Sequence, residues 1–340
     1  MARRLGTSSG LIYLPGIPAL EYEDSDQPIA FRQRRYFYYL SGLDFPGCAI
    51  TYDIGLDKLN AFIPPANYGS SVIFNGSNPT REEIKAKYDF DDVQRITNLA
   101  YSLASFIKKD AASKIYVLHS YDAPQSLLRR IALTTGSDEK ARFDFSLLKP
   151  AMNAARVIKS PYEIKMIKRA SVITAQAHIN VLRAIKDLDN EAEIEAIFAA
   201  TSISEQAKQQ AYGIIAGSGE NASTLHYIAN NELLKGRQLV CLDAGCEWEC
   251  YASDVTRTFP ISGKWTKEGK EIYDLVSKMQ EECIALVKPG ANFRDIHIHA
   301  HKVAVAGLMK LGLLHNGTFE ELYAIRASIA FFPHGLGREY

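Results

Sequence analysis

Residues 239–258 read Leu-Val-Cys-Leu-Asp-Ala-Gly-Cys-Glu-Trp-Glu-Cys-Tyr-Ala-Ser-Asp-Val-Thr-Arg-Thr. Both ends of this stretch are rich in β-formers, and segment 245–249 is long enough for the chain to turn back. The pattern therefore predicts two facing strands, which can aim Asp243 and Asp254 at one point. A two-metal hydrolytic site needs carboxylates that bind each ion and bridge a pair roughly 3.5–4 Å apart. Asp243 also follows four largely apolar residues, where a carboxylate is costly unless a positive group compensates it.

Spacing alone leaves a plainer interpretation open. In that interpretation Asp243 is a turn residue, and Asp254 is a surface residue paired with Arg257. The nearby cysteines are also clustered, but a zinc site favours paired short spacings and a fourth ligand. The site interpretation and the plainer one differ in whether the two carboxylates converge.

Helix signals surround these strands. Ser160–Glu163 combines an N-cap serine, a proline in the first turn and a glutamate that completes a capping box. Asn190 begins a second helix with the same capping logic. Thr266 begins a third, which stops at Pro289-Gly290, and a fourth begins near Phe293. Helices beside an antiparallel sheet are typical of an α+β domain.

The first half of the chain alternates strand-like and helix-like segments. Leu11–Leu14 and Lys114–Leu118 are typical of strands, and Pro79–Ile84 begins a helix. The aromatic run Arg35–Leu40 is strand-prone and closes at Ser41-Gly42. We therefore expect an α/β domain in residues 1–150 and an α+β domain in residues 151–340.

Composition restricts the classes of partner. Lys plus Arg and Asp plus Glu are both 39, so the net charge is zero and predicts neither a nucleic-acid nor a membrane partner. No apolar run reaches the roughly 18 residues that span a bilayer. The basic start Met1–Arg4 lacks a following apolar core, so we expect no signal peptide. Five cysteines, an odd number, favour reduced thiols and a cytoplasmic protein.

Histidines supply further candidate groups. His226 lies next to Tyr227, and His334 lies in the stretch Phe-Pro-His-Gly-Leu-Gly, residues 332–337. A lone histidine is usually structural or exposed, so both depend on their context. His297 and His301 are four apart on one helical face, but no third metal ligand accompanies them.

These segments together resemble the aminopeptidase P and prolidase family, the pita-bread metallopeptidases. The resemblance rests on Leu242–Gly245, Ser253–Thr258 and Leu225–Tyr227, together with the stretch around His334. It extends to Phe31–Gly42, which is similar to fungal-type aminopeptidase P sequences, and so covers nearly the whole chain. It implies that the second domain has the pita-bread fold.

The resemblance also implies a role for each site residue. Asp243 would coordinate one metal ion and Asp254 would bridge two, with Mn²⁺ as the expected metal and two ions per subunit. His226 would help to hold the substrate and the tetrahedral intermediate, and His334 would lie on the substrate side without binding metal. The implied reaction is removal of the N-terminal residue from peptides with proline at the second position. An Xaa-Pro dipeptidase is the alternative enzyme, and a homo-oligomer is compatible with the resemblance.

The sequence departs from the family pattern at its end. The family's metal-binding histidine is replaced by Arg338, and its two later glutamate ligands are absent. A guanidinium stays protonated and offers no lone pair to a metal. We therefore expect an incomplete pita-bread domain that binds Mn²⁺ weakly. A catalytically inactive truncated form, or a pseudo-peptidase that acts as a binding module, is a further alternative.

Overall fold

The computed structural model describes residues 2–110, 112–333 and 335. Contacts divide the chain into two compact units, Met1–Ile164 and Lys165–Tyr340. A boundary after residue 150 would fall inside α7 (Leu148–Arg156), whose buried side chains belong to the core of the first unit.

The first unit is built on a six-stranded sheet. Its strands are β1 (Leu11–Pro15), β2 (Ala49–Asp53), β3 (Lys58–Ile63), β4 (Asp92–Arg95), β5 (Ile115–Tyr116) and β6 (Phe143–Asp144). Their order is β4-β3-β2-β1-β5-β6, in which β2 pairs antiparallel with β1 and β3 and the other neighbours are parallel.

Helices cover both faces of this sheet. They are α1 (Ala2–Leu5), α2 (Arg35–Ser41), α3 (Ser70–Asn75), α4 (Arg81–Lys87), α5 (Leu99–Lys109), α6 (Gln125–Thr135) and α7. Alternation along β1 puts Leu11 and Tyr13 in one apolar core and Ile12 and Leu14 in another. A sheet buried on both faces confirms the α/β expectation for this half.

The predicted aromatic strand at Arg35–Leu40 is wrong, because these residues form helix α2. Phe37 and Ser41 are buried one helical turn apart, and the Ser41 hydroxyl donates to the Phe37 carbonyl at 2.8 Å. Gly42 ends the helix in the left-handed region, with φ of 67°. Burial of one helical face outweighs the strand preference of individual aromatic residues.

The second unit combines helices with a three-stranded antiparallel sheet. Its helices are α8 (Pro161–Ala184), whose first turn precedes the boundary at Lys165, α9 (Glu191–Ser204), α10 (Lys267–Ala285), α11 (Phe293–Lys310) and α12 (Phe319–Ala324). Its strands are β7 (Ile215–Ser218), β8 (Leu239–Ala244) and β11 (Val255–Pro260), with the hairpin β9 (Glu247–Trp248) and β10 (Tyr251–Ala252) inserted between β8 and β11. The sheet order is β11-β8-β7.

The helix starts expected from the sequence are present. Ser160 and Glu163 form the capping box of α8, and Asn190 and Thr266 cap α9 and α10. One face of the sheet packs on α8 and α9 through a core that includes Phe198 and Val240. These elements confirm the α+β expectation. In the described part of the chain, no helix combines the length and apolar character needed to cross a bilayer.

Candidate metal site at the end of the β8–β11 ladder

Strand alternation places Asp243 on the face of the sheet away from the helices. Along β8, Val240, Leu242 and Ala244 are fully buried, whereas Cys241 and Asp243 are only half-buried. The alternation follows from the two-residue period of a strand. Asp243 therefore avoids the apolar core, and its carboxylate does not bear the full cost of burial suggested by its apolar neighbours.

The two aspartates converge at the end of the ladder. Asp243 is paired in register with Thr256, and Asp254 lies one residue before the start of β11. The Tyr212 hydroxyl lies 2.5 Å from Asp243 Oδ1 and 2.9 Å from Asp254 Oδ1. Both carboxylates thus reach one phenol oxygen, as the site interpretation requires.

The plainer interpretation of Asp254 required a salt bridge to Arg257. The Arg257 guanidinium donates instead to the Thr256 carbonyl at 2.7 Å. Among the described residues, it forms no ion pair with Asp254. The exposed carboxylate of Asp254 is therefore available to the site.

Tyr212 is a site residue that sequence reasoning missed, because no motif marked it. Burial, followed by the hydrogen bond and negative charge of Asp243, raises the pKa of the Tyr212 hydroxyl far above its ordinary value. The hydroxyl therefore stays protonated and acts as a donor. It has one proton, so it can donate to only one of the two carboxylates at a time.

Position 245, directly after Asp243-Ala244, requires a glycine. A Cβ at Gly245 would lie 2.0 Å from the Ser253 carbonyl oxygen, a clash with backbone that no side-chain movement can relieve. The Gly245 carbonyl also accepts from the Ala211 backbone N–H at 2.8 Å, next to Tyr212. The glycine therefore permits the close approach that brings the segments bearing both aspartates and the tyrosine together.

A buried polar network holds the base of the hairpin between the aspartates. Thr174 on α8 has its hydroxyl 2.7 Å from the Ser253 hydroxyl and accepts from the Cys246 backbone N–H at 3.1 Å. The Ser253 hydroxyl also contacts the Cys246 carbonyl at 3.0 Å. We refer to these three residues as the hairpin anchor. It fixes the chain just after Asp243 and just before Asp254.

A neutral histidine lies beneath the same strand end. His178 is only 5% exposed, and its Nε2 is 3.4 Å from the Ala244 carbonyl. Burial is the main cause that lowers the pKa of His178. The imidazole is therefore kept uncharged.

His226 lies on an exposed turn that follows the 3-10 helix Gly219–Ser223. Among the described residues, no hydrogen bond or ion pair joins it to Asp243 or Asp254. Its turn is nevertheless well anchored, since the neighbouring Tyr227 hydroxyl donates to Glu191 Oε2 at 2.6 Å. The structure thus fixes the turn without bringing the imidazole to the aspartates.

Glu191, the first residue of α9, is the anchor of that turn. Its fully buried carboxylate accepts hydrogen bonds from Ser218, Asn221, Tyr227 and Glu232. Burial opposes the charged form, but the hydrogen bonds outweigh it and lower the pKa of Glu191. We refer to this set as the turn anchor. Sequence reasoning had seen the segment around Glu191 only as a helix start.

Two further expectations concern residues outside the described part of the chain. His334, expected on the substrate side, and Arg338, expected in place of a metal-binding histidine, both lie there. Their roles stay predictions.

The candidate ligand atoms among the described residues are of the type that binds a divalent ion, but they are too few to complete its coordination. Two carboxylates whose oxygens converge suit hard cations. In the ranges described, however, no three His, Cys, Asp or Glu side chains gather to hold an ion. The described residues therefore offer two candidate ligands, Asp243 and Asp254.

Comparisons with known proteins define the class. Residues 165–339 match metallopeptidase family M24, and residues 1–116 match the aminopeptidase P N-terminal domain. The chain belongs to metallopeptidase family M24.

Individual relatives narrow the comparison. A probable Xaa-Pro aminopeptidase of Sclerotinia sclerotiorum is 62% identical over 98% of this chain, and one of Botryotinia fuckeliana is 61% identical over 98%. The chain spans 60% of the length of each of these two relatives. A probable Xaa-Pro aminopeptidase of Aspergillus niger is 49% identical, and 67% of its length is covered.

Solved structures show the same likeness. Zinc-substituted Escherichia coli aminopeptidase P in complex with product superposes with a TM-score of 0.84 at 27% identity, covering 96% of this chain and 75% of that one. Pseudomonas aeruginosa aminopeptidase PepP gives 0.83 at 29% identity, with 97% and 76% covered. These matches confirm the expected fold, an aminopeptidase P N-terminal domain followed by a pita-bread metallopeptidase domain.

Proposed function

We propose that this chain carries the N-terminal domain and two metal ligands of an Xaa-Pro aminopeptidase. The reaction is removal of the N-terminal residue from peptides with proline at the second position. One observation carries the proposal: Asp243 and Asp254 converge on the Tyr212 hydroxyl at the end of one β-ladder. The names of the relatives from three fungi support the same activity.

In this proposal the two aspartates hold divalent metal, with Mn²⁺ as the ion and two ions per subunit. The ions would polarise the scissile carbonyl and activate water. Asp243 and Asp254 would supply the carboxylates that hold this metal. Tyr212 orients these carboxylates, because its hydroxyl lies within hydrogen-bonding distance of both.

His226 is proposed to contact the substrate. Its exposed turn leaves the imidazole free to reach a bound peptide, while the turn anchor holds the backbone beneath it. His334 is proposed as a second substrate-side histidine. A cytoplasmic location and a homo-oligomeric state are also proposed.

Metal binding is the first test. Calorimetric titration of Mn²⁺ into the 340-residue chain should show weak binding, because the described residues supply only two ligands. The substitutions Asp243→Asn and Asp254→Asn should abolish it, whereas Asp295→Asn, on an exposed helix start, should not. Equal binding by all four proteins would refute the assignment of the ligands.

Substrate class is the second test. The matching segment of the Sclerotinia relative is replaced by this chain, and the hybrid is assayed on an Xaa-Pro dipeptide and a longer Xaa-Pro peptide. We expect cleavage of the longer peptide, abolished by Asp254→Asn. Cleavage of the dipeptide alone would assign the chain to prolidases.

The competing function is a non-catalytic binding module. The departure from the family pattern at Arg338 favours it. An inactive hybrid that folds and binds a proline-containing peptide would support this function instead.

A further inference from the structure

A polar cavity lies in the second unit, formed by elements that the proposed reaction does not use. It has a volume of about 420 Å³ and lies between α11, α12 and the 3-10 helix Ala327–Ala330. The polar and aromatic side chains that line it are Arg294, His297, His301, Tyr323, Arg326 and Ser328. We refer to it as the α11–α12 cavity. None of the described residues that line it is acidic.

The charge of the α11–α12 cavity is unbalanced. Within the described residues, the guanidinium groups of Arg294 and Arg326 form no ion pair with a carboxylate. Lys302, which does not line the cavity, lies nearby over the ring of Tyr323 at 5.7 Å from its centroid. Cations collected in a concave site raise the local concentration of anions.

Carboxylates of the same segment do not neutralise these cations. Residues 291–333 contain three acidic residues, Asp295, Glu320 and Glu321, and none of them lines the cavity. The Glu321 carboxylate caps α12 and accepts from the Thr318 backbone N–H at 2.8 Å. The arginines of the cavity wall therefore have no neutralising carboxylate within residues 291–333.

A pair of imidazoles forms part of the wall. His297 Nε2 and His301 Nε2 are 3.1 Å apart, and His301 Nδ1 is 2.8 Å from the Ser328 hydroxyl. The Phe332 ring packs against the His301 ring, with 4.8 Å between centroids. His297 Nδ1 is buried and has no partner among the described residues. The pair is therefore held in place by its neighbours.

The spacing of the imidazole pair could suit a metal ion, but its surroundings oppose a cation. The described residues include no third His, Cys, Asp or Glu that would complete a metal site here. Burial, then the charges of His297 and Arg326, lower the pKa of His301, so these groups already disfavour one more positive charge. The same positive charges favour the binding of an anion.

The backbone at Arg326 supports a binding role. This residue has φ of 57° and ψ of 39°, in the left-handed region that non-glycine residues rarely adopt. Such strained positions cluster at ligand clamps. Here the conformation reverses the chain between α12 and the 3-10 helix, at a residue that lines the cavity.

We propose that the α11–α12 cavity binds a small phosphate-bearing anion. Its guanidinium donors belong to Arg294 of α11 and to Arg326 at the junction after α12, so two different elements offer donors to one anion. A tetrahedral phosphate can accept from all of them, whereas a planar carboxylate is satisfied by a single guanidinium fork.

Calorimetric titration with inorganic phosphate tests the proposal, with sodium chloride of equal ionic strength as the blank. We expect saturable binding that weakens at least about tenfold in Arg326→Gln and in Arg294→Gln, as loss of a charge-assisted hydrogen bond predicts. The two variants change different elements, and circular dichroism confirms that each is folded. Arg183→Gln, an exposed arginine of α8, is the matched control and should bind like the unchanged chain.

Three outcomes would overturn the proposal. They are binding no stronger than the chloride blank, equal phosphate binding by all the variants, and tighter binding of succinate than of phosphate. Saturable binding of Zn²⁺ that is lost in His297→Ala would show that the imidazole pair is a metal site instead.

Discussion

The hairpin anchor and the turn anchor each hold a loop segment in place through buried hydrogen bonds, but the acceptors differ in chemistry. The hairpin anchor uses the neutral hydroxyls of Thr174 and Ser253, and it lies directly between the two aspartates that converge. The turn anchor uses a single buried carboxylate, Glu191, and it supports a turn whose His226 stays exposed. Neutral hydrogen bonds thus fix the hairpin between Asp243 and Asp254, whereas a buried charge fixes the turn that carries His226. A buried charge depends far more on keeping all its partners than a neutral hydroxyl does.

The largest difference between the anchors should appear when each is removed. Glu191→Ala should lower the free energy of unfolding by about 3–5 kcal/mol, because Arg237 and several buried donors lose their acceptor. Urea denaturation measures the loss. Glu205→Ala, which breaks an exposed ion pair with Arg169, should change it by less than about 1 kcal/mol.

Hydrogen exchange then locates the effect of Glu191→Ala. Amides of residues 219–232 should lose protection, while those of residues 246–253 should keep it. Equal loss in both segments would mean that the two anchors form one cooperative unit, and the comparison between them would fail.

The hairpin anchor should be less sensitive. Thr174→Val keeps the shape of the side chain but leaves the buried Cys246 N–H without its acceptor. We expect a loss of about 1–3 kcal/mol, measured by urea denaturation. The control is Ser171→Ala on the same helix, whose exposed hydroxyl bonds only its own turn. An unchanged stability for Thr174→Val would show that the hydroxyl network does not hold the hairpin.

The next effect is the pH dependence of stability caused by His178, which lies beneath the strand end that carries Asp243. The unfolded protein protonates His178 near pH 6.5, whereas burial lowers the pKa of His178 in the folded protein. Below that pH the unfolded state binds more protons, so the free energy of unfolding falls as pH decreases. One such group contributes at most about 1.4 kcal/mol per pH unit.

Denaturation between pH 7 and pH 5 tests this linkage. The decrease should be smaller in His178→Phe and unchanged in His315→Asn, which alters an exposed histidine. Parallel pH profiles for all three proteins would show that His178 titrates normally.

The smallest effect is expected at Tyr212. Tyr212→Phe removes the donor shared by Asp243 and Asp254, and one net hydrogen bond contributes about 0.5–1.5 kcal/mol to stability. Thermal denaturation compares it with Tyr162→Phe, an exposed tyrosine of α8. A more stable Tyr212→Phe protein would mean that the phenol strains the carboxylate pair rather than holding it.

Local sequence signals predicted much of the fold because they act over a few residues. The capping residues Ser160, Asn190 and Thr266 each satisfy backbone N–H groups within one turn, and each helix starts where expected. The aromatic run at Arg35–Leu40 was the exception. Its preference for a strand is weak compared with the burial of one face of α2 against the sheet.

The candidate site was predictable only in part. The residue types and spacing of Asp243 and Asp254 marked them as candidates, and strand pairing placed them together. Tyr212 carries no local signal, because its role arises from contacts with Asp243 and Asp254, which are 31 and 42 positions further along the chain. His226 and His334 stay predictions, the first because it is exposed and the second because it lies outside the described residues.

The sequence by itself determined the class of each half, the helix starts, and the pair of carboxylates on facing strands. These features depend on the period of burial and on hydrogen bonds between near neighbours, which a linear pattern records. Only the tertiary structure decided that a phenol joins the carboxylates, and that Thr174 holds the hairpin while Glu191 holds the turn of His226. It also decided that two arginines, without an ion pair among the described residues, line the α11–α12 cavity. Those arrangements depend on which distant residues meet at a buried point, where each polar group must find a partner whatever its position in the chain.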